Sequence, residues 1–477
     1  MTLQVYNSLS NEKEEFQPLR DDMVTMYVCG QTVYDYMHIG HGRTYIAFDI
    51  IRRYLEFKGY AVRTVINITD VNDKINERAE EEGREPREVA DEYARINLED
   101  FQELGIRADA YPKASEYVDE MIETVQQLIE RGYAYESGGN VFFDVREFAD
   151  YGKLSNQELD QIAGDRDDIM AMDEKKNEED FVLWRSRSSE ETNGPTWDSP
   201  WGEGVPGWHI ECSAMSSELL GDQFDIHGGG SDLVFPHHED EIAQAEASTG
   251  KQPWVNYWMH SGLVQMEEEK MSKSLGNFVP TRELLEEHEP ETLRLMVASA
   301  HYRKPLSYSE DRLEEARENL EKLRNARDNL QAELNVAETV PSRLDQHDLE
   351  ALQDAFDHRR GFVEAMDDDF NTPEALKQLL GLASSANRYI DETSSPKRPV
   401  LERFLRELRE LGTVVGVLEE QETGQSEVDR FIDLAVQARE QARQKEQYDL
   451  ADWIRDELEE RGVELEDTGD GTRWRKD

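Results

Sequence analysis

The sequence predicts an α/β fold: a parallel-sheet domain carrying an insertion, then an α-helical bundle, then a small mixed C-terminal module. Three observations carry that expectation. Residues 24–28 form an apolar run rich in β-branched and aromatic side chains, which reads as a buried strand. From 44 to 57 the apolar residues Tyr45, Phe48, Ile51, Tyr54 and Leu55 recur at helical spacing, and 62–68 is a second strand, so the chain opens on a βαβ unit. From Glu283 onward the pattern is helical almost to the end. A βαβ opening implies a Rossmann-like sheet, whose ligands lie beyond the carboxyl ends of the strands and near helix N-termini. Cys29, His38 and His41 fall at that edge.

The elements follow in order. Residues 67–75 (NITDVNDKI) end the second strand in polar residues, and 75–104 reads as a long polar helix broken near Pro86. Residues 118–131 form an amphipathic helix followed by Gly132, and 133–145 read as a hairpin turning at Gly138-Gly139. The acidic, irregular stretch 150–195 contains the clearest surface loop, 165–180. The segment 119–200 is therefore an insertion between a first half at 1–118 and a second at 201–262. Helices are expected over 312–334, 349–365, 373–388 and 403–418, with loops at Pro341 and 393–399. A linker at 421–427 leads to two short helices and a hairpin at 463–474, with Gly469 and Gly471 at its turn. No internal repeat is evident.

Composition bounds the function. Lys+Arg 53 against Asp+Glu 105 gives 53 − 105 = −52, spread along the whole chain. An evenly acidic surface of this size points to a salt-loving source, because self-repulsion destabilises such a fold unless salt screens it. Disorder is the rival reading of high charge, but 37% hydrophobic content with regular periodicity opposes it. Nonspecific nucleic-acid binding needs basic surface and is disfavoured, so any RNA partner must be met by local basic patches. No run of about 18 apolar residues exists, which excludes a membrane span of that kind. Neither a signal-peptide pattern nor a disulfide framework is present: Cys29 and Cys212 are the only cysteines, and a reducing cytoplasmic setting is expected.

Three groups of residues carry chemistry. His237 and Glu241 are i,i+4 where Pro236 opens a helix, so they share one face. With the two thiols they make a donor set suited to a tetrahedral, borderline-soft dication such as Zn²⁺. The opposing reading is two inert buried cysteines and a surface His–Glu pair. His238 is i+3 from Glu241, so spacing does not choose between the two histidines. In His38-Ile39-Gly40-His41 the histidines can donate to phosphate oxygens beside a positive helix end, and Gly40 and Gly42 leave room for a base or phosphate. Lys270-Met271-Ser272-Lys273-Ser274 pairs two lysines on a polar loop, as neutralising a polyphosphate leaving group requires. Residues 227–232 (HGGGSD) read as a glycine-rich loop, with Gly228, Gly229, Gly230 and Asp232 able to meet a ribose or phosphate. Each motif alone is weak; the two signature motifs on either side of an α/β core are far more specific.

With these residues in view, the chain resembles the cysteinyl-tRNA synthetases, a family of class I aminoacyl-tRNA synthetases. The stretches that carry the resemblance are YVCGQTVYDYMHIGHGRTY, TDVNDKI, GWHIECSAM, DIHGGGSDLVFPHHEDEIAQ, KMSKS, HYRKPLSYSE and DDDFNTPEAL, with ADWIRDELEERGVELEDTGDGTRW near the end. The resemblance implies one zinc ion on Cys29, Cys212, His237 and Glu241. It implies ATP, with Mg²⁺, met by His38, Gly40, His41, Gly228, Gly229, Gly230, Asp232 and Lys273, and catalysis by His38, His41, Lys270 and Lys273. Gly30, Thr32 and Trp208 would line the cysteine pocket. Region 263–311 would hold the lysine loop and contact the tRNA stem, 312–420 would be the helical bundle, and 428–477 would recognise the anticodon. In that last module Arg439, Arg443, Lys445, Arg455, Arg473, Arg475 and Lys476 are the densest basic group, with Trp453 and Trp474 as stacking surfaces. The expected substrates are ATP, L-cysteine and tRNA-Cys, for a monomer with no membrane partner. Three positions depart from the family pattern: Gln31 stands for proline, Asn72 for aspartate and Val205 for arginine. Rival readings are a cysteine ligase acting on a small amino-sugar, a zinc hydrolase, and a non-catalytic RNA-binding paralogue.

Overall fold

The structure is a computed structural model. It describes residues 2–157, 174–187, 194–266, 269–270, 278–337 and 343–419, and beyond these scattered positions between 432 and 445 together with 448–459, 463–468 and 471–476. Two compact units divide it, Met1–Val417 and Leu418–Asp477.

The first unit is built on a four-stranded, all-parallel sheet in the order Val255–Ser261, Phe224–Gly230, Met23–Val28, Ala61–Ile66. The carboxyl-terminal halves of Met23–Val28 and Ala61–Ile66 are buried on both faces, which is why they read as apolar runs. The helix between Met23–Val28 and Ala61–Ile66 spans Ile39–Phe57. It begins before the expected residue 44 because His38 caps it: the His38 Nδ1 accepts hydrogen bonds from the backbone N–H of Gly40 (3.1 Å) and His41 (3.4 Å). Apolar periodicity cannot register a first turn made of Gly, His and Gly. The break near Pro86 occurs as expected. Asp73–Glu82 ends on Gly83 at φ +64°, and Pro86 occupies the first turn of Pro86–Glu103.

The hairpin predicted at 133–145 is present as Ala134–Ser137 and Asn140–Phe143, with Gly138 and Gly139 at φ +63° and +87° in its turn. It is half of a four-stranded antiparallel sheet completed by Phe181–Ser186 and Gly204–Pro206, so the sheet continues past residue 200. The expected surface loop at 165–180 lies largely outside the described residues. Phe143, Phe181 and Trp184 of this sheet join one hydrophobic cluster with Tyr27, Ile210 and Trp258 of the parallel sheet domain. Phe143 and Phe181 stack at 4.9 Å, and truncating either fully buried ring should cost about 3–5 kcal/mol. The insertion therefore shares the core of the sheet it interrupts.

A buried ion-pair hub fastens the first helix to the helices that follow. Asp49 meets Arg53 and Arg294 at 2.5 Å each, and the two guanidinium groups also reach the carbonyls of Thr413 and Val415. Burial opposes the charge on Asp49, but the two arginines outweigh it and hold the carboxyl below its usual range. The bundle helices are Glu310–Val336, Gln346–Met366, Thr372–Glu392 and Arg398–Val415, each longer than or shifted from its apolar stripe. Ser309, Asp345 and Asn371 cap three of them, with Asp348 completing a capping box at Asp345.

The second unit contains the helix Tyr448–Glu459 and the antiparallel pair Val463–Thr468 and Gly471–Lys476, around a core of Ile432, Val436, Leu458, Val463 and Leu465. Among the described residues no helix is long and apolar enough to cross a membrane.

Candidate metal centre and nucleotide site

Cys29 follows the carboxyl end of the strand Met23–Val28, where its N–H bonds to the Gly228 carbonyl of the neighbouring strand (2.9 Å). Gly30 comes next. A Cβ there would sit 1.6 Å from the Asn67 carbonyl oxygen, and the Asn67 side chain accepts the Gly30 N–H at 2.7 Å, so only glycine fits this crossing. Cys212 lies in the helix Trp208–Leu220, and Glu241 in the first turn of Glu239–Thr249. His237 sits in a π turn, Val234–His238, that leads into that helix, so the α-helix begins at Glu239, three residues after the expected start at Pro236.

These four side chains converge. Their donor atoms all lie within 4.8 Å of one another and all four residues are buried. The two sulfurs are 3.6 Å apart, Cys29 Sγ is 3.5 Å from Glu241 Oε1, and His237 Nε2 is 2.9 Å from the same oxygen. Zn–S bonds of about 2.3 Å at tetrahedral angles require an S···S edge of roughly 3.8 Å, so the set fits a four-coordinate dication. The charges agree. Burial pushes the Cys29 thiol up, reinforced by Cys212 and Glu241, whereas the hydrogen bond with Cys29 outweighs burial at Cys212 and pulls its thiol down to about 6. Burial opposes a charge on His237, but Glu241 and Cys212 lift its imidazole to about 10. Cys212 and Glu241 thus carry the negative charge, and a dication bound here would take the place of the protons on Cys29 and His237.

A second overlapping set, Cys29, His227, His238 and Glu241, also converges. His227 Nε2 lies 2.7 Å from Glu241 Oε2, and His238 Nε2 lies 3.3 Å from Cys29 Sγ while its Nδ1 meets His260 Nε2 at 2.8 Å. Burial keeps His238 and His260 neutral, His260 falling to about 3. On the other side, His209 Nδ1 meets His237 Nδ1 at 2.8 Å, and Asp240 meets both His209 and Tyr151. Spacing points to His238 alone among these histidines; His209, His227 and His260 are not anticipated by it, and His227, in a strand that otherwise holds apolar residues, glycines and Asp225, was the available signal. The run 227–230 is in fact the end of the strand Phe224–Gly230 and not a loop. The reason is packing: a Cβ at Gly228 would meet the Phe48 ring at 2.3 Å, and one at Gly229 the His238 ring at 2.8 Å. Gly42 likewise is buried, its missing Cβ 3.2 Å from Thr281 Oγ1, so it serves contact between helices and leaves no room for a base.

Trp208 opens the site. It is 39% exposed, and its ring lies 4.3 Å from that of His237. Thr32 borders the same space. Of the three departures, Asn72 has a local role as N-cap of Asp73–Glu82, accepting the Lys74 N–H at 3.1 Å. Val205 is buried in the strand paired with Arg185. Nothing in the structure explains Gln31.

His38 and His41 stack at 3.8 Å on the first turn of the helix Ile39–Phe57. Because His38 Nδ1 accepts from two backbone amides, its proton sits on Nε2, and the ring is a donor on its other side. This turn also grips both ends of the lysine-loop segment. The Ile39 N–H bonds to the Val279 carbonyl (3.0 Å) and the Thr281 N–H to the Met37 carbonyl (2.7 Å). At the other end the buried Arg43 donates to the carbonyls of Gly262 (2.8 Å), Leu263 (2.6 Å), Tyr302 (3.2 Å) and Lys304. Lys270 belongs to the short strand Glu269–Lys270, which pairs with Val264–Met266; Lys273 lies outside the described residues. So do the side chains of Arg473, Trp474, Arg475 and Lys476, whereas Trp453 is 59% exposed and Arg439 is buried.

Comparison with known proteins agrees with this geometry. Residues 15–318 match the family model described as tRNA synthetases class I (C) catalytic domain, and 361–419 match a DALR domain. The chain is 49% identical over 480 residues to the cysteine–tRNA ligase of Thermococcus gammatolerans and 48% identical to that of Pyrococcus horikoshii, covering 100% of this chain and 99% of each relative. Among solved structures it is similar in fold to Mycobacterium tuberculosis methionyl-tRNA synthetase bound to methionyl-adenylate, with a TM-score of 0.61 at 16% identity, covering 83% of this chain and 89% of that one. The chain belongs to the cysteine–tRNA ligases, class I synthetases that join cysteine to tRNA at the expense of ATP.

Proposed function

We propose that Cys29, Cys212, His237 and Glu241 hold a zinc ion that selects the thiol of L-cysteine, while the first turn of the helix Ile39–Phe57 and the lysine loop activate its carboxylate with ATP. The observation that carries this reading is the convergence of four buried donors beneath a half-exposed Trp208. The half-exposed Trp208 also favours this set over the one with His227 and His238, because its ring lies against His237 at 4.3 Å whereas His238 Nδ1 is turned to the buried His260.

A bound zinc ion would supply high affinity for thiolate and little for a neutral alcohol, which separates cysteine from serine where a hydrophobic pocket alone offers only about 1–3 kcal/mol. Around it, His209 fixes the His237 ring and Asp240 fixes His209, so the ligand tautomer is set from outside. Trp208, Thr32 and Gly30 bound the amino-acid pocket. The cysteine carboxylate attacks the α-phosphate of ATP, giving cysteinyl-adenylate and pyrophosphate. His38 donates from Nε2 and His41 stacks beside it, at the positive end of the helix, where phosphate charge develops. Gly40 lets the His38 ring fold back over the turn, since a Cβ there would strike that ring at 2.8 Å. Lys270 and Lys273 neutralise the leaving pyrophosphate, with Mg²⁺ on the phosphates. Gly230 and Asp232, at the same sheet edge and not buried, border the ribose, while Gly228 and Gly229 serve packing within the strand. The second unit, with Arg443, Lys445, Arg455 and Trp453 exposed, reads the tRNA anticodon, and the enzyme acts as a cytoplasmic monomer.

Cysteine-dependent ATP–pyrophosphate exchange, run with and without a zinc chelator and with serine in place of cysteine, tests the core of this reading. Exchange should require the metal and reject serine; serine-dependent exchange near the cysteine rate would sink it.

A further inference from the structure

Two stretches that carry the family resemblance, HYRKPLSYSE and DDDFNTPEAL, contribute no ligand to the metal or the nucleotide, yet they meet each other in the fold. Asp369 lies just past the helix Gln346–Met366 and is fully buried. Its Oδ1 accepts hydrogen bonds from the Tyr302 hydroxyl and the Tyr6 N–H, each at 2.9 Å. Its Oδ2 meets Arg303 Nε at 2.7 Å and Nη2 at 2.6 Å, and the guanidinium lies over the Tyr6 ring at 4.0 Å. Asp369 and Phe370 are both left-handed, at φ +62° and +52°, a backbone that a Cβ disfavours. Such strain persists only where the surroundings over-determine it, as the donors gathered on this one carboxylate do.

What Asp369 grips is the root of the lysine loop. The segment 301–304 is held through its side chains by Asp369 and through its backbone by Arg43, which donates to the Tyr302 and Lys304 carbonyls. The Tyr302 carbonyl also accepts the Gly262 N–H at 2.7 Å, and the Leu306 N–H reaches the Leu263 carbonyl at 3.0 Å. From there Leu306–Tyr308 pairs in parallel with Val264–Met266, and that strand pairs with Glu269–Lys270. The join has no slack, since a Cβ on Gly262 would lie 2.5 Å from the Lys304 carbonyl oxygen. A displacement of 301–304 therefore passes into the strands from which the lysine loop springs.

On the reading that Lys270 and Lys273 neutralise the leaving pyrophosphate, we propose that Asp369 is a positioning residue for adenylate formation. It touches no substrate. By fixing Tyr302 and Arg303 it holds the strand that carries Lys270 in the place where the lysines meet the phosphates.

The test is Asp369→Asn, alone and combined with Lys270→Ala. Asparagine keeps the size and tolerates the left-handed backbone, but an amide in place of the carboxylate no longer pairs with Arg303. Alone, it should lower kcat of ATP–pyrophosphate exchange about tenfold, with the KM for cysteine within a factor of about two and the zinc content unchanged. In the Lys270→Ala background the same change should cost less than about twofold, because the group it positions is gone. An equal loss in both backgrounds, or an unaltered kcat for Asp369→Asn, would overturn the proposal, since a merely structural residue acts additively. Arg303→Gln removes the same contact from its partly exposed side and carries the same expectation if Asp369→Asn does not fold. Lys270→Ala without effect on exchange would instead count against the lysine-loop assignment, and the role of Asp369 would fall with it.

Discussion

Two regions that touch the same strand and helix are built on opposite principles. The candidate metal centre is closed: Cys29, Cys212, His237 and Glu241 are each 5% exposed or less, and a network of further histidines and Asp240 braces them. The nucleotide region is half open. His38 and His41 are partly exposed, and what holds the region is backbone hydrogen bonding at the two ends of the lysine-loop segment. The difference follows the ligands. Discriminating one sulfur from one oxygen needs fixed donors in a dry pocket, whereas a triphosphate must enter, react and leave as two products.

Mutations can break this contrast from either side. The largest effect is expected for Cys212→Ser, which removes a thiolate from a four-donor set. Metal content should drop from about one per chain to near zero and cysteine-dependent exchange by about a thousandfold or more, while far-UV circular dichroism stays near wild type. Next is His41→Asn, for which kcat of exchange should fall about 10²–10³-fold with the KM for cysteine within a factor of about two. A matching rise in that KM would mean the two regions are one rigid unit. Arg43→Lys keeps the charge but cannot span four carbonyls, so a drop of about tenfold in kcat is expected, with the metal retained. Loss of zinc by this variant, read by atomic absorption, would show that the loop anchor also supports the metal pocket.

The smallest effect concerns the surface. Raising KCl from about 0.1 to about 2 M should lift the Tm by several degrees, because a net charge of −52 repels itself at low salt. The zinc content should not follow salt, since buried pairs are screened little. A flat Tm would argue that the acidic surface has no bearing on stability.

Much of the site was legible in the sequence because its residues have few alternative uses. Two cysteines in 477 residues, one beside a strand end and one in a His-bearing helix, left little choice of thiol ligands, and His237–Glu241 spacing named a shared face. The His238 ambiguity was equally real: both histidines reach the cluster, and only their neighbours distinguish them, Trp208 beside His237 and His260 beside His238. The glycines misled. At 228 and 229 they looked like a phosphate loop, but they are strand residues thinned to let Phe48 and His238 pack. Periodicity is blind to such contacts, since it records one element and not its neighbour.

By itself, then, the sequence determined the αβ order of elements, the donor types, the two signature motifs and the acid excess, all properties of local pattern and composition. Only the tertiary structure decided which histidine lies beside Trp208, why Gly30 and Gly228 must lack a side chain, and how Arg43 reaches segments some 220–260 positions away. Those facts depend on which backbone passes within a few ångströms of another. A one-dimensional pattern carries no record of that distance.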